Sequence, residues 1–183
     1  LKTNQTLNIW SAACSSGEEI YSLALLARYC NVRTVCTASD INTEVLQKCR
    51  AGVYGSNSIR TVDGFKYLPL LAPYKQPDGS YKLDAELTTQ IDLRALNLAE
   101  LAGTRLPANM PIHQHIIFIR NVFIYFPRDL RAKILKTLAV KCLADGGYLF
   151  VSMNEIASID AGIIPAELEK IVSGNVFYFR KKA

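Results

Sequence analysis

Across its 183 residues the chain carries no Cys-x-x-Cys pair, and its 5 cysteines, Cys14, Cys30, Cys36, Cys49 and Cys142, are odd in number and lie in apolar segments. That pattern argues against a disulfide framework or a thiolate metal site, and for buried, reduced thiols in the cytoplasm. Only 2 histidines are present, His113 and His115, with no third ligand and no serine elbow nearby, so neither a metal centre nor a Ser-His-Asp triad is expected. No apolar run approaches the ~18 residues of a membrane span, and the N-terminus lacks the charged-then-apolar pattern of a signal peptide. Membrane insertion is therefore not expected. The basic residues are scattered apart from Arg180-Lys181-Lys182, so the net charge of +5 supports a slight attraction to acidic partners and not nucleic-acid binding. No linker or repeat divides the sequence, and its start at Leu1 without methionine predicts a fragment of a longer protein.

What is present is the composition of one packed domain, 50% hydrophobic and 20% charged. Leu7–Ala13 is a short apolar strand before small residues, and Glu18–Cys30 has Ile20, Leu23, Ala24 and Ala27 at helical spacing behind a Ser16-x-x-Glu19 capping-box pattern. Arg33–Ser39 reads as a strand, and Thr43–Arg50 as a helix stopping at Gly52 with Val45, Leu46 and Cys49 inward. From Tyr54 to Gln90 the alternation lapses into a segment with three prolines and a Pro77-Asp78-Gly79-Ser80 turn, which predicts a small antiparallel insertion pairing Lys66–Lys75 with Tyr81–Leu87. Ile91–Leu98 and His115–Asn121 resume as strands, the second nearly continuous in apolar character, as in the middle of a parallel sheet. Pro127 opens a helix carrying Leu130, Ile134, Leu138 and Cys142 that should stop at Asp145-Gly146-Gly147. Tyr148–Ser152 follows as a strand, Pro165–Val172 as a helix and Val176–Arg180 as a closing strand. The predicted fold class is α/β, a mostly parallel, doubly wound, Rossmann-like sheet with its ligand crevice at the carboxyl ends of the strands.

The residues able to carry chemistry fall at those strand ends. A dinucleotide site would need Gly-x-Gly-x-x-Gly after the first strand, and Gly17 is the only glycine in that turn. Asp40 is either an acceptor for the vicinal hydroxyls of a ribose or the cap of the next helix, a task open to Asn42 as well. Glu18 either complements the dipole of its helix or meets a ligand ammonium group. Asn97 and Leu98 can hold an adenine ring or simply make a turn. Arg120 leaves an apolar strand at the crevice mouth, where it pairs with a structural carboxylate or grips a carboxylate of a ligand or substrate. Tyr125, five residues on, either packs in the core or faces substrate.

Three segments together, Trp10-Ser11-Ala12-Ala13-x-Ser15-x-Gly17-Glu18-Glu19-x-Tyr21-Ser22, Ala38-Ser39-Asp40-Ile41-x-Thr43-Glu44-Val45-Leu46 and Arg120-Asn121-Val122-x-Ile124-Tyr125-Phe126, resemble the CheR family of chemotaxis receptor methyltransferases. The resemblance runs from Ile9 to the terminal Tyr178-Phe179-Arg180-Lys181-Lys182. It implies an S-adenosylmethionine-dependent methyltransferase fold and transfer of a methyl group to glutamates in the cytoplasmic domains of chemotaxis receptors, giving methyl esters and S-adenosylhomocysteine. By the same resemblance Glu18 meets the methionyl amino group, Asp40 the ribose, Asn97 and Leu98 the adenine, and Arg120 and Asn121 the cofactor near the reacting centre. Arg120 and Tyr125 are the candidates for placing the substrate carboxylate. The 54–90 insertion corresponds to a small β-subdomain that in some members docks a receptor's C-terminal tether peptide, and the family's N-terminal helical domain is expected upstream of this chain. The chain departs from the family pattern at Ile20, where Pro is usual, at His115 for Asp, at Ile119 for Cys, and at Ser152-Met153-Asn154-Glu155 for a His-Ser-Glu-like segment. A diverged module that only senses the cofactor or docks a partner is the competing expectation. A nicotinamide-dependent oxidoreductase conflicts with the lone Gly17.

Overall fold

Apolar strands that must bury both faces need helices on either side, and this chain supplies them in alternation. The computed structural model describes residues 5–59, 68–174 and 176–182. Its seven-stranded sheet is built from β1 (Leu7–Ala12), β2 (Thr34–Asp40), β5 (Ile91–Ala95), β6 (Gln114–Ile119), β7 (Leu143–Phe150), β8 (Leu168–Ser173) and β9 (Val176–Lys181), in the order β5-β2-β1-β6-β7-β9-β8. The first five run parallel, and β9 inserts antiparallel between β7 and β8. Because the chain winds outward from β1 to β2 and β5, then returns to β6 on the other side, the carboxyl ends of β1 and β6 flank a topological switch point.

Helices α1 (Glu18–Tyr29) and α2 (Thr43–Ala51) follow β1 and β2, and α4 (Arg128–Thr137) follows β6 and continues through one π turn, Leu138–Cys142. Side chains alternate across the strands: Ile9, Cys36 and Ala38 pack with Ile20, Tyr21, Ala24 and Leu25 of α1 and Leu46 and Cys49 of α2. On the other face Trp10, Ile117, Ile119 and Leu149 pack with Ile134, Leu135 and Leu138. Full burial of such side chains contributes about 1.5–3 kcal/mol each, so the framework beneath the crevice is held by many such contributions. Leu23 and Ala27, expected inward, are only half-buried because α1 turns Tyr21 and Leu25 to the sheet instead, and Val45 is half-buried because α2 buries Leu46 and Cys49.

Several expectations from the sequence are corrected. The Ser16/Glu19 capping box does not form; α1 begins at Gly17, in the left-handed region at φ 97°, and the Glu19 carboxylate points elsewhere. Among the described residues the insertion holds a two-stranded antiparallel pair, β3 (Val53–Tyr54) with β4 (Tyr81–Lys82), and no longer ladder. Residues 68–74 form 3-10 turns, where Pro69 and Pro73 cannot donate to a ladder, and Ala85–Thr89 is a short helix, α3, capped by Asp84. The turn at residues 76–80 is present, Gln76 N donating to Ser80 O at 2.8 Å; the expected strand's first two residues lie outside the described ones. Asp145-Gly146-Gly147 does not separate helix from strand but lies inside β7, where the register against β6 shifts and Gly146 adopts φ 73°. Pro165–Val172 is no helix: Leu168–Ser173 pairs residue for residue with β9 around Gly174. Its Ile171-Val172 pair and the mate beside it outweigh an apolar spacing that fits either structure. Cys30, expected buried, is exposed just past α1, while the other four cysteines are buried. Among the described residues no helix is long and apolar enough to cross a membrane.

Candidate active site

A cleft of about 1130 Å³ opens at the switch point, and Glu18, Asp40, Asn97, Leu98, Arg120, Asn121 and Tyr125 all line it. They come from four strand ends. The turn after β1 takes left-handed backbone at Ala13 (φ 68°), Ser15 (φ 50°) and Gly17 (φ 97°), tightening the chain under the cleft. Only glycine fits the last position, since a Cβ there would stand 2.3 Å from Cys49 Sγ and 3.1 Å from the Tyr54 hydroxyl. The Tyr54 hydroxyl donates to Ser16 O at 2.7 Å, and burial holds that phenol far above its ordinary range, so it stays a donor. The Cys14 thiol is likewise pushed up, first by its hydrogen bond with Cys49 and then by burial, so the thiol under the turn stays neutral.

Asp40 ends β2 and organises two backbones at once. Its Oδ2 accepts from Ser15 N and its Oδ1 from Asn42 N, both at 2.9 Å, while Asn42 itself caps α2 by accepting from Glu44 N. The helix cap is therefore Asn42, and Asp40 stands half-buried in the cleft wall beside Ile41, an apolar side chain 67% exposed. Glu18 accepts from Ser16 Oγ at 2.8 Å and from Ser58 Oγ of the insertion at 3.1 Å, in the positive field of its helix N-terminus. Asn97 uses its side-chain oxygen to accept from Ala99 N at 3.0 Å, starting the 3-10 turn Leu98–Ala102, and Leu98 is buried.

The mouth is built around two carboxylates that the sequence reading did not single out. Glu19 accepts from the buried Ser11 hydroxyl at 2.7 Å and from Arg120 Nη1 at 2.9 Å, so Arg120 has the structural carboxylate partner that was one of its two expected roles. Glu155 is fully buried and accepts from the backbone of Asn121 at 2.8 Å and of Val122 and Phe123 at 2.7 Å each, as well as from Ser152 N and Oγ. Asn121 sits at φ 58°, and the 3-10 turn Phe123–Tyr125 that follows buries Phe123 and leaves Tyr125 76% exposed. Core packing of Tyr125 is thereby excluded. The doubled Glu18-Glu19 was the available signal for the first carboxylate; for Glu155 it was the Ser152-x-x-Glu155 capping-box spacing, which forms here, while the three backbone donors at 121–123 lie over thirty positions upstream.

This sheet order, with an antiparallel strand inserted next to the last and acidic residues at the ends of β1 and β2, defines the class of S-adenosylmethionine-dependent methyltransferase folds. Solved structures agree at the level of fold: the CMeT domain of the citrinin polyketide synthase superposes with a TM-score of 0.56 at 11% identity, covering 100% of this chain and 48% of that one. A Pyrococcus horikoshii protein gives a TM-score of 0.53 at 9% identity over 98% of this chain and 82% of its own. Residues 1–163 match the family described as CheR methyltransferase, SAM binding domain, and the chain belongs to that family. A chemotaxis protein methyltransferase of Klebsiella aerogenes is 34% identical over 162 residues, 81% of this chain and 51% of the relative. Chemotaxis protein methyltransferase 2 of Vibrio cholerae is 32% identical over 170 residues, 86% of this chain and 56% of its own length. The chain thus spans about half the length of these curated relatives.

Proposed function

We propose that this domain carries out methyl transfer from S-adenosylmethionine to glutamate side chains of chemotaxis receptors, forming glutamate methyl esters. The observation that carries the reading is the single cleft of about 1130 Å³ with Glu18, Asp40 and Asn97 on one side and Arg120 and Tyr125 at its mouth. It exceeds the ~300–1,000 Å³ usual for one small ligand, as a site for a cofactor together with a substrate side chain should. The donor set also fits the cofactor: two carboxylates suit a cation bearing an ammonium group and a vicinal diol, and exposed Ile41 with Leu98 suits an apolar base. Glu18 would take the amino group, Asp40 the ribose, Asn97 and Leu98 the adenine, and Arg120 and Asn121 the end nearest the chemistry.

S-adenosylmethionine supplies a methyl group on a sulfonium, an electrophile that needs no metal. A substrate glutamate has an ordinary value near ~4.3 and is ionised at neutral pH, so no residue of this chain has to accept a proton. What the chain contributes is orientation and exclusion of water. Arg120 and Tyr125 position the substrate carboxylate. Because Glu19 already occupies Nη1, Arg120 orients that carboxylate without neutralising it fully, which would stabilise the ground state. The 54–90 insertion reaches the cleft through Ser58 and is the candidate site for a receptor tether.

The test is a calorimetric titration with S-adenosylhomocysteine, followed by incubation of the full reading frame's product with methyl-labelled cofactor and receptor cytoplasmic fragments. Binding and base-labile label on receptor glutamates are expected. Binding without transfer would replace this reading with a cofactor-sensing module, and no binding would remove both.

A further inference from the structure

We infer that Glu155 is a positioning residue for the crevice mouth, whose carboxylate sets the one turn that carries both Asn121 and Tyr125. Its geometry stands by itself; its activity readout rests on the methyl transfer proposed above.

Glu155 has no exposed surface, and among the described residues no cation is paired with it. A buried carboxylate in that situation is tolerated only when hydrogen-bond donors converge on it. Five do: three consecutive backbone N–H groups of residues 121–123, and the N–H and hydroxyl of Ser152. Two carboxylate oxygens offer about four lone-pair sites, so five donors leave the group nothing with which to hold a ligand. Its effect must pass through the residues it holds.

Those residues belong to different parts of the sheet. Ser152 lies just past β7, and residues 121–123 just past β6, so Glu155 ties two strand ends together where the cleft opens. The turn it holds is one the backbone would not choose unaided: Asn121 is left-handed at φ 58°, and Val122 lies at φ −128°, ψ −31°. The N–H groups at the start of the Phe123–Tyr125 turn have no helical partner, and that of Phe123 is buried away from water. A carboxylate is the acceptor that satisfies all three. An amide at position 155 would turn an NH₂ donor toward N–H donors, and the turn would relax, moving Tyr125 and Asn121 while leaving Glu18, Asp40 and Asn97 in place.

The experiment compares Glu155→Gln with the natural sequence, in the protein as its full reading frame encodes it. Three quantities are read: amide hydrogen exchange at residues 121–123, S-adenosylhomocysteine affinity, and kcat and KM for methyl transfer. Exchange at those three amides should accelerate at least tenfold while that of β1 is unchanged, and kcat should fall about 100-fold, the scale of a misplacement near 1 Å, with cofactor affinity changed much less. Unchanged protection at 121–123, an unchanged kcat, or an affinity lost in equal measure with kcat would each overturn the assignment. Should Glu155→Gln fail to fold, Ser152→Ala decides. It removes one donor and should lower kcat several-fold and Tm by a few degrees, with Ser152→Thr restoring both, and wild-type kcat in Ser152→Ala would be the overturning result. If the natural protein transfers no methyl group yet loses protection at 121–123 on substitution, the function proposed above fails and the positioning role stands.

Discussion

Arg120 and Glu19 are separated by 101 positions in the chain and meet at 2.9 Å across the cleft mouth, with the second oxygen of Glu19 fixed by the buried Ser11 hydroxyl. The pair joins the end of β6 to the first turn of α1. Glu19→Gln should lower methyl transfer while costing less than about 1 kcal/mol of stability, the range for a partly exposed ion pair. Glu19→Ala also strands the Ser11 hydroxyl and should cost about 1–3 kcal/mol in urea unfolding. Equal activity of both variants and the natural protein would show that the pair is structural only.

Gly17 is the position where the turn after β1 tolerates no side chain. Gly17→Ala should destabilise the domain by roughly 2 kcal/mol or more, since it combines left-handed strain with a Cβ set against Cys49. Thermal unfolding reads the loss, and S-adenosylhomocysteine binding should weaken with it.

The proposed roles of Asp40 in binding and Asn42 in capping can be separated by substitution. Asp40→Asn should reduce S-adenosylhomocysteine affinity at least tenfold, about 1.4 kcal/mol. Asn42→Ala removes only the α2 cap, with an expected cost of ~1 kcal/mol in stability and little change in affinity. Calorimetry on the two variants checks the contrast, and equal losses of affinity would contradict it.

Thiol labelling under native conditions should modify Cys30 rapidly and the other cysteines slowly. Burial pushes the Cys142 thiol up to about 12 and raises Cys36 as well, which keeps the nucleophilic thiolate scarce. Mass spectrometry after brief alkylation should find one adduct natively and 5 after denaturation, one for each cysteine of the sequence.

Two surface pairs set the response to acid. Arg128 holds the Asp160 carboxyl below its ordinary 3.8, and Lys136 holds Glu167 below its ordinary 4.5. Both carboxyls are depressed in the folded state, so their contribution is complete above the unfolded values and disappears as pH falls through the folded ones. The contribution of these pairs to Tm should therefore be full and constant through neutral pH and decline below about pH 4.5, and Asp160→Asn and Glu167→Gln should flatten that decline. An unchanged acid limb in both variants would rule the pairs out as its cause.

The parallel half of the fold was legible because its signals are local. Leu7–Ala13 and Arg33–Ser39 are apolar runs bounded by small or capping residues, and Asn42 and Gly52 punctuate α2 as their chemistry dictates. The last hairpin was not legible, since Leu168, Ile171 and Val172 fit a helix as well as a strand, and only their pairing with Val176–Lys181 decides. The site divides in the same way. The residues singled out at the strand ends, Glu18, Asp40, Asn97, Leu98, Arg120, Asn121 and Tyr125, do share one cleft, because topology places strand ends together. The roles of Glu19 and Glu155 in holding the mouth were not legible, because the distant Arg120 and the 121–123 backbone that they meet are brought to them only by the fold.

The insertion between α2 and β5 leaves and rejoins the framework at nearly one point, where Leu83 N donates to Gly52 O at 2.9 Å next to the β3–β4 pair. A loop pinned at its base can change length at a cost that grows only with the logarithm of that length, and without shifting the register of any strand in the main sheet. The insertion can therefore vary in length while the strand-end residues of the cleft, Glu18, Asp40, Asn97 and Arg120, keep their places on the framework.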